Sequence, residues 1–203
     1  AGGSAQDTAS GEMFGWLLKI NAAGTILWQQ SYKSLPAFND VVITPNGEIA
    51  VTGEVSGFLY LSKMKPNGEL VWQQFYKGAG PNGKGISTTK EGGFMITNSS
   101  DMDTSDLGFH LRVIKTDRDG NAVWSNVYKV DKSEIPAAVF LDTAGHYMVI
   151  GVSQDSMMHQ STFAMKLNSD GKQLSVQTQY WNDDVPGHIS DVKQTPEGTY
   201  VFI

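Results

Sequence analysis

The sequence predicts an all-β fold, a β-propeller built from four-stranded antiparallel blades. Three observations predict it: a pattern that recurs four times in 203 residues, Gly-containing turns between short apolar runs, and the lack of a 3.6-residue apolar stripe. Asn-Gly and Asp-Gly pairs between such runs are a strong hairpin signal. Four strands in each repeat of about 40–50 residues are typical of propeller blades.

The recurring pattern is a lysine five residues before a turn glycine, followed in three copies by a tryptophan and then a tyrosine. The lysines are Lys19, Lys63, Lys115 and Lys166. The glycines, which are 44, 52 and 51 residues apart, are Gly24, Gly68, Gly120 and Gly171. The aromatic residues are Trp28, Trp72 and Trp124, with Tyr32, Tyr76 and Tyr128. In the fourth copy, Val176 and Tyr180 are predicted to take the two aromatic places.

A second Gly-containing turn lies between successive copies and sets the blade boundaries. Labelled from the axis outward, strands A and B flank this turn, strand C carries the lysine and strand D carries the tryptophan. Complete blades are predicted at residues 39–76, 84–128 and 137–180, with half-blades at 14–32 and 188–203. The half-blades either close a four-blade ring, which their geometry permits, or belong to a larger ring, which an end within an apolar strand suggests.

The recurring residues are expected to be structural. A large aromatic at one place in every blade is predicted to pack between adjacent blades. The lysine stem covers apolar surface while its ammonium reaches water or a carboxylate. The glycines are expected to supply the positive φ of tight primed turns.

Variable loops all fall on one face, and any ligand is expected there because binding residues concentrate on loops of a rigid scaffold. The alternative is that long loops merely tolerate sequence drift. The B–C and D–A connections make up this face, whereas every A–B and C–D turn is tight. The B–C segments are residues 1–15, 98–108 and 151–162, and the D–A segments are 33–39, 77–85, 129–135 and 181–187.

Two groups on this face are candidate sites. Asp101, Asp103 and Asp106 place three carboxylates within six residues, a pattern that could hold Ca²⁺, although such a run is more often a solvated loop. The second group could form an aromatic and acidic rim that binds a sugar. The simpler interpretation is that its aromatic residue packs between blades at a shifted place. Its members are Tyr180, Trp181, Asp183, Asp184 and His188.

Composition excludes several classes of protein. With no cysteine, disulfides, Cys-ligated metal sites and thiol nucleophiles are excluded. The net charge of −6 argues against nucleic-acid binding, and no apolar run is long enough to span a bilayer. The four histidines have no zinc-ligand spacing, and no Gly-x-Ser-x-Gly elbow occurs. No catalytic residue and no firm cofactor is therefore predicted.

The repeats at residues 16–32 and 44–53 resemble those of secreted and cell-surface β-propeller proteins of Bacteroidota and some archaea. This resemblance covers essentially the whole chain and implies an extracellular, cell-surface or periplasmic location. A weaker likeness to quinoprotein-dehydrogenase blades extends to the three glycine–tryptophan pairs. The acidic and cofactor-stacking residues of those enzymes are missing, so pyrroloquinoline quinone is not inferred.

The sequence therefore predicts a non-catalytic binding or scaffold module that recognises a glycan or a protein partner through the loop face. The alternatives are a polysaccharide-degrading propeller enzyme, either a glycoside hydrolase or a lyase, and a purely structural surface repeat. A homodimer is expected if the ring is completed between chains.

Overall fold

The computed structural model describes residues 2–6, 8, 10–33, 35, 37–78, 84–105, 107–180 and 188–203, with only the backbone at Asp101 and Met102. All regular elements among these residues are β-strands, which confirms the predicted all-β class. No described segment is a helix long and apolar enough to cross a membrane. The chain divides into two compact units, Ala1–Lys77 (unit 1) and Gly78–Ile203 (unit 2).

Unit 1 contains two antiparallel sheets in which each strand pairs with the next along the chain. The first sheet has three strands: β1 (Gly2–Gln6), β2 (Met13–Ile20) and β3 (Ile26–Tyr32). The second has four: β4 (Asp40–Ile43), β5 (Ile49–Val55), β6 (Phe58–Met64) and β7 (Leu70–Tyr76). The four-stranded sheet has the predicted A–B–C–D order of a blade.

Unit 2 contains two four-stranded sheets and one two-stranded sheet, again paired in chain order. The first comprises β8 (Ile86–Thr88), β9 (Phe94–Asp103), β10 (Gly108–Thr116) and β11 (Ala122–Tyr128). The second comprises β12 (Ser133–Leu141), β13 (Tyr147–Gln154), β14 (Gln160–Leu167) and β15 (Gln173–Tyr180). The last comprises β16 (Val192–Gln194) and β17 (Tyr200–Phe202).

The cores lie between neighbouring sheets of one unit, because middle strands such as β5 are buried on both faces. In unit 1, Leu17 of β2 and Tyr60 of β6 belong to one buried cluster. In unit 2, Leu111 of β10 and Phe163 of β14 belong to another. Strands buried on both faces lose the polar alternation of a half-exposed strand, as the run Ile49–Val51 illustrates.

The tight turns share one geometry that differs from the predicted primed turns. In each, the glycine is the fourth residue, has φ between 79° and 89°, and donates its N–H to the carbonyl three residues earlier. No central residue of these turns has a positive φ. They are therefore three-residue hairpin loops in which a left-handed glycine follows an ordinary turn. The glycines are Gly24, Gly47, Gly68, Gly92, Gly120, Gly145, Gly171 and Gly198.

The recurring aromatic residues latch one sheet onto a turn of the next, as predicted. In unit 1, Trp28 Nε1 donates to Pro66 O (3.1 Å) and the Tyr32 hydroxyl donates to Gly68 O (2.6 Å). Burial raises the pKa of Tyr32 to about 12, so this hydroxyl stays a donor. In unit 2 the same latch joins β11 to the β14–β15 turn: Trp124 donates to Ser169 O (3.2 Å) and Tyr128 to Gly171 O (2.5 Å).

The ammonium groups of recurring lysines reach carboxylates, as the sequence predicts. These carboxylates lie at the A–B turn of the same blade. Three such ion pairs occur: Lys63 with Glu48 (2.7 Å), Lys115 with Glu91 (3.5 Å) and Lys166 with Asp142 (3.0 Å).

Strand pairing corrects the interpretation of the fourth repeat. Each recurring tryptophan lies opposite the lysine of strand C, as Trp124 lies opposite Lys115. In the last blade, the residue opposite Lys166 is Ser175, and Gln179 occupies the place of the tyrosine. Because neighbouring residues of a strand point to opposite faces, Val176 and Tyr180 lie on the other face of β15.

Several segments predicted to be loops are paired strands. Residues 2–6 form β1 and pair with β2, so the first sheet has three strands where a C–D half-blade is predicted. Strand β9 continues to Asp103, and β13 continues to Gln154, before short hairpin turns. These parts of the strands contain polar residues such as Asn98 and Ser99, so they lack the alternating apolar residues from which a strand is predicted.

Candidate functional site

The loop face of unit 2 holds most of the described residues that the repeat does not explain. It is formed by the ends of β9 and β13, the starts of β10, β12 and β14, and the described residues just before β8, β12 and β16, namely 84–85, 129–132 and 188–191. These ends lie opposite the tight turns, since every blade is an antiparallel meander. Two features occur there, a buried polar network and a cavity.

The buried polar network is centred on Glu134 near the start of β12, a residue with no exposed surface. Its Oε1 accepts the N–H groups of Val130 (2.9 Å) and Asp131 (2.5 Å). Its Oε2 accepts His110 Nδ1 (2.9 Å) and the N–H of Leu111 (3.3 Å). A carboxylate can accept about four hydrogen bonds, so Glu134 ties β10 to the segment that leads into β12.

His110 extends this network to the surface of the loop face. With Nδ1 donating to Glu134, its Nε2 lies 3.9 Å from Asp103 Oδ2, and that oxygen is 2.8 Å from Lys129 Nζ. The hydrogen bond from Lys129, together with those from Ser105, holds the pKa of Asp103 well below its usual value. The network thus runs from a buried glutamate through a buried histidine to an exposed ion pair.

Sequence reasoning missed this network, although a signal was present. Glu134 and His110 are ionisable residues within strands that are otherwise largely apolar, and neither recurs at the matching place of another blade. Residues that recur in every blade serve the fold, whereas residues unique to one blade are candidates for function.

The predicted calcium site is described only in part. Asp106 and the side chain of Asp101 lie outside the described residues, and the described Asp103 carboxylate is bound by Lys129 and Ser105. Within the part of the chain that the structure describes, no three His, Asp or Glu side chains are grouped to hold a metal ion. Calcium binding at Asp101, Asp103 and Asp106 stays a prediction.

The predicted sugar-binding rim is also split. Trp181, Asp183 and Asp184 lie outside the described residues. Tyr180 is exposed at the end of β15, and His188 lies in the segment before β16. Of this group, the structure brings His188 to a cavity.

That cavity, of about 300 Å³, lies beside the first half of β12. Three polar side chains of different kinds line it, namely Lys84, Gln160 and His188. Ser190 Oγ lies 3.0 Å from His188 Nε2, which places a hydroxyl beside the imidazole. The remaining lining residues are apolar: Ile135, Pro136, Ala137, Val152 and Ile189.

Unit 1 offers a contrasting hollow of about 320 Å³ at the tight-turn end of β2 and β4. Its lining is almost wholly apolar, and its one charged residue, Lys19, donates to Pro66 O (3.2 Å) as part of the latch. Ligand sites combine an apolar lining with a few convergent polar groups. The cavity of unit 2 has that combination, whereas the hollow of unit 1 does not.

The chain matches no protein-family model and no curated protein. Among solved structures, it is similar to a protein whose assignment as a gluconolactonase is provisional. The TM-score is 0.53 at 15% identity, over 98% of this chain and 69% of that one. It is also similar to a gluconolactonase from Xanthomonas campestris, with a TM-score of 0.53 at 14% identity, over 96% of this chain and 65% of that one.

A third similar structure is virginiamycin B lyase from Staphylococcus aureus, with a TM-score of 0.43 at 11% identity, over 98% of this chain and 82% of that one. The two gluconolactonase structures are β-propeller proteins, and the likeness to them confirms the propeller-type fold. The resemblance to Bacteroidota surface repeats is supported only at this level of fold. This chain spans about two thirds of the length of each gluconolactonase.

Proposed function

We propose that this chain is a propeller-type enzyme that acts on a small carbohydrate-derived substrate in the loop-face cavity of unit 2. The observation that carries the proposal is the presence of Lys84, Gln160 and His188 in the lining of an otherwise apolar cavity of about 300 Å³. That volume is at the lower end of the range of small-molecule sites, about 300–1,000 Å³. It suits a single sugar ring better than a polymer.

The three polar groups suit the opening of a sugar lactone. Water adds to the ester carbonyl carbon, the bond from that carbon to the ring oxygen breaks, and a hydroxy acid results. An imidazole can take the proton from the water and return it to the leaving ring oxygen. Lys84 and Gln160 supply donors for the oxyanion and the sugar hydroxyls. The similarity to two gluconolactonases supports this reaction class over others.

Glycoside hydrolysis, by contrast, requires two carboxyl groups on either side of the scissile bond. The described residues that line the cavity include a lysine, a glutamine and a histidine but no carboxylate. Lactone opening needs only the residue types present in this lining. We further propose a location outside the cytoplasm, which rests on the resemblance of the repeats to surface proteins.

The competing function is recognition of a glycan without turnover. The exposed Tyr180 supports it, because an aromatic ring with an apolar face and a polar hydroxyl can stack on a sugar. Both functions place the ligand on the loop face, so one experiment separates them.

The test is to incubate the protein with a panel of aldonolactones and to monitor hydrolysis by pH-stat titration of the acid released. Binding of the corresponding sugars is measured in parallel by calorimetry. We expect turnover that falls by about 100-fold or more in His188→Ala, since general base catalysis contributes at least that factor. The control is His146→Ala, whose imidazole lies at a tight turn at the opposite end of the blade.

Turnover that survives His188→Ala would overturn the proposed role of the cavity. Sugar binding without turnover of any lactone would show that the chain is a binding protein.

A further inference from the structure

The hairpin between β13 and β14 departs from the other turns at one residue. Met158 donates its N–H to Asp155 O (3.1 Å), the same bond that closes all eight glycine turns. Here the fourth residue is a methionine, with φ of 71°. A side chain in this left-handed region is disfavoured, which is why glycine normally occupies it. Ser56 and Leu107 also have a positive φ, so the conformation alone assigns no role to Met158, and burial of its side chain would compensate for the cost.

Burial does not supply that compensation. Met158 is 69% exposed and its neighbour Met157 is 73% exposed. Several methionines of the sheets, such as Met95 and Met165, are fully buried, as is usual for this residue type. Two adjacent thioethers are thus presented to solvent at a hairpin tip.

The third member of the tip is His159, whose orientation is fixed. Its Nδ1 lies 3.0 Å from Asp155 Oδ2, and its N–H donates to Asp155 Oδ1 (2.9 Å). A carboxylate on one ring nitrogen sets the tautomer and the orientation of the ring, as in many metal-binding histidines. Nε2 of His159 is therefore the nitrogen available for a ligand.

We propose that Met157, Met158 and His159 form a binding site for a soft monovalent cation, Cu(I). Thioether sulfur and imidazole nitrogen are ligands that select Cu(I), whereas hard cations such as Ca²⁺ prefer oxygen. The chain has no cysteine, so no thiolate competes with this tip for the ion. This site is separate from the proposed catalytic cavity and does not depend on it.

The test is competition for Cu(I) between the protein and the chromophoric chelator bicinchoninate, with ascorbate present and oxygen excluded. We expect the wild-type chain to withdraw one equivalent of Cu(I) from the chelator. Met158→Gly should weaken binding at least tenfold and yet raise the melting temperature, because it removes a ligand and relieves the left-handed φ. His159→Ala should weaken binding by a similar factor.

The matched control is Met13→Leu, which removes a methionine that is 45% exposed on β2. It should bind Cu(I) as the wild type does. The raised melting temperature of Met158→Gly shows that its loss of binding is not a loss of folding.

Three results would overturn the proposal: a wild-type chain that takes up no Cu(I), a Met158→Gly or His159→Ala variant that competes as well as wild type, or equal affinity for Zn²⁺. The first result would instead favour the tip as an apolar contact for another protein.

Discussion

At the scale of single residues, recurrence distinguishes structural residues, which occur in every blade, from functional candidates, which occur in one. Lysine, tryptophan and tyrosine recur at one place per blade and are found in ion pairs and latches at the tight turns. Glu134 is a fully buried carboxylate, and Met158 is one of three described non-glycine residues with a positive φ. Such features have a cost in free energy and concentrate at functional sites.

The carboxylate of Asp142 predicts a pH dependence of stability. Burial acts to raise its pKa, but hydrogen bonds from the His146 N–H (2.7 Å) and Lys166 (3.0 Å) outweigh it and bring the pKa to about 2. The folded-state pKa is therefore below the unfolded value of about 3.9. The stabilisation is fully present above pH 4 and is lost as pH falls toward 2.

Asp142→Asn should therefore lower the free energy of unfolding by about 1–2 kcal/mol at neutral pH. The difference from wild type should shrink between pH 4 and pH 2.5 in urea titrations. Glu69→Gln is the control, because Glu69 pairs with Lys65 on the surface and both side chains are more than half exposed. A difference that stays constant with pH would show that the Asp142 hydrogen bonds do not depend on its charge.

Sequence reasoning succeeded with recurring residues and failed with unique ones for a physical reason. Residues that recur in every repeat can be recognised as structural from sequence alone. The residues equivalent to Lys115 or Trp124 contact equivalent neighbours in each blade. The partners of Glu134 are backbone N–H groups and one histidine, which the fold brings together from 24 positions away in sequence. A single sequence carries little signal for such a contact.

At the scale of elements, the tight turns serve as docking sites as well as chain reversals. A Cβ on Gly171 would lie 3.1 Å from the Trp124 ring and 2.6 Å from Asn126, whereas one on Gly92 would meet nothing within 4 Å. Both glycines have a positive φ near 80°. The docking turn therefore requires glycine for two reasons, its backbone conformation and the tryptophan that covers it.

The pair of glycines predicts two different costs for the same substitution. Gly92→Ala should destabilise the chain by about 1 kcal/mol, the cost of a left-handed alanine. Gly171→Ala should cost about 1–3 kcal/mol more, since the added methyl group must displace packed atoms. If chemical denaturation shows equal losses of unfolding free energy for the two variants, the Trp124 latch rearranges around the added methyl group without an energetic cost.

Turn chemistry and strand length were the elements least well predicted. Sequence locates the Gly-containing turns correctly, but Asn-Gly pairs predict two-residue primed turns, whereas the glycine is the last residue of a three-residue loop. Strands β9 and β13 extend through polar stretches, because backbone pairing there requires no apolar side chain. The B–C loops after β9 and β13 are shorter than composition suggests.

At the scale of the whole molecule, the last complete blade has a polar outer face. On β15 the places that hold tryptophan and tyrosine in other blades are occupied by Ser175 and Gln179, and all eight residues of the strand are exposed. The polar face explains why the fourth copy of the repeat looks degenerate in sequence.

Restoring the recurring pattern on this face should therefore cause self-association. The double variant Ser175→Trp with Gln179→Tyr recreates a latch complementary to the Asn21–Gly24 turn of another copy, where a Cβ on Gly24 would meet nothing within 4 Å. Because the two surfaces differ, the contact is head-to-tail and can extend from copy to copy. Sedimentation velocity should show assemblies that grow with concentration in the variant and not in wild type. The matched control, Leu174→Trp with Val176→Tyr, places the same two aromatic residues on the opposite face of β15. If the control associates equally, added apolar surface rather than the latch drives assembly. The interpretation that the polar face of β15 lacks only the latch residues would then be wrong.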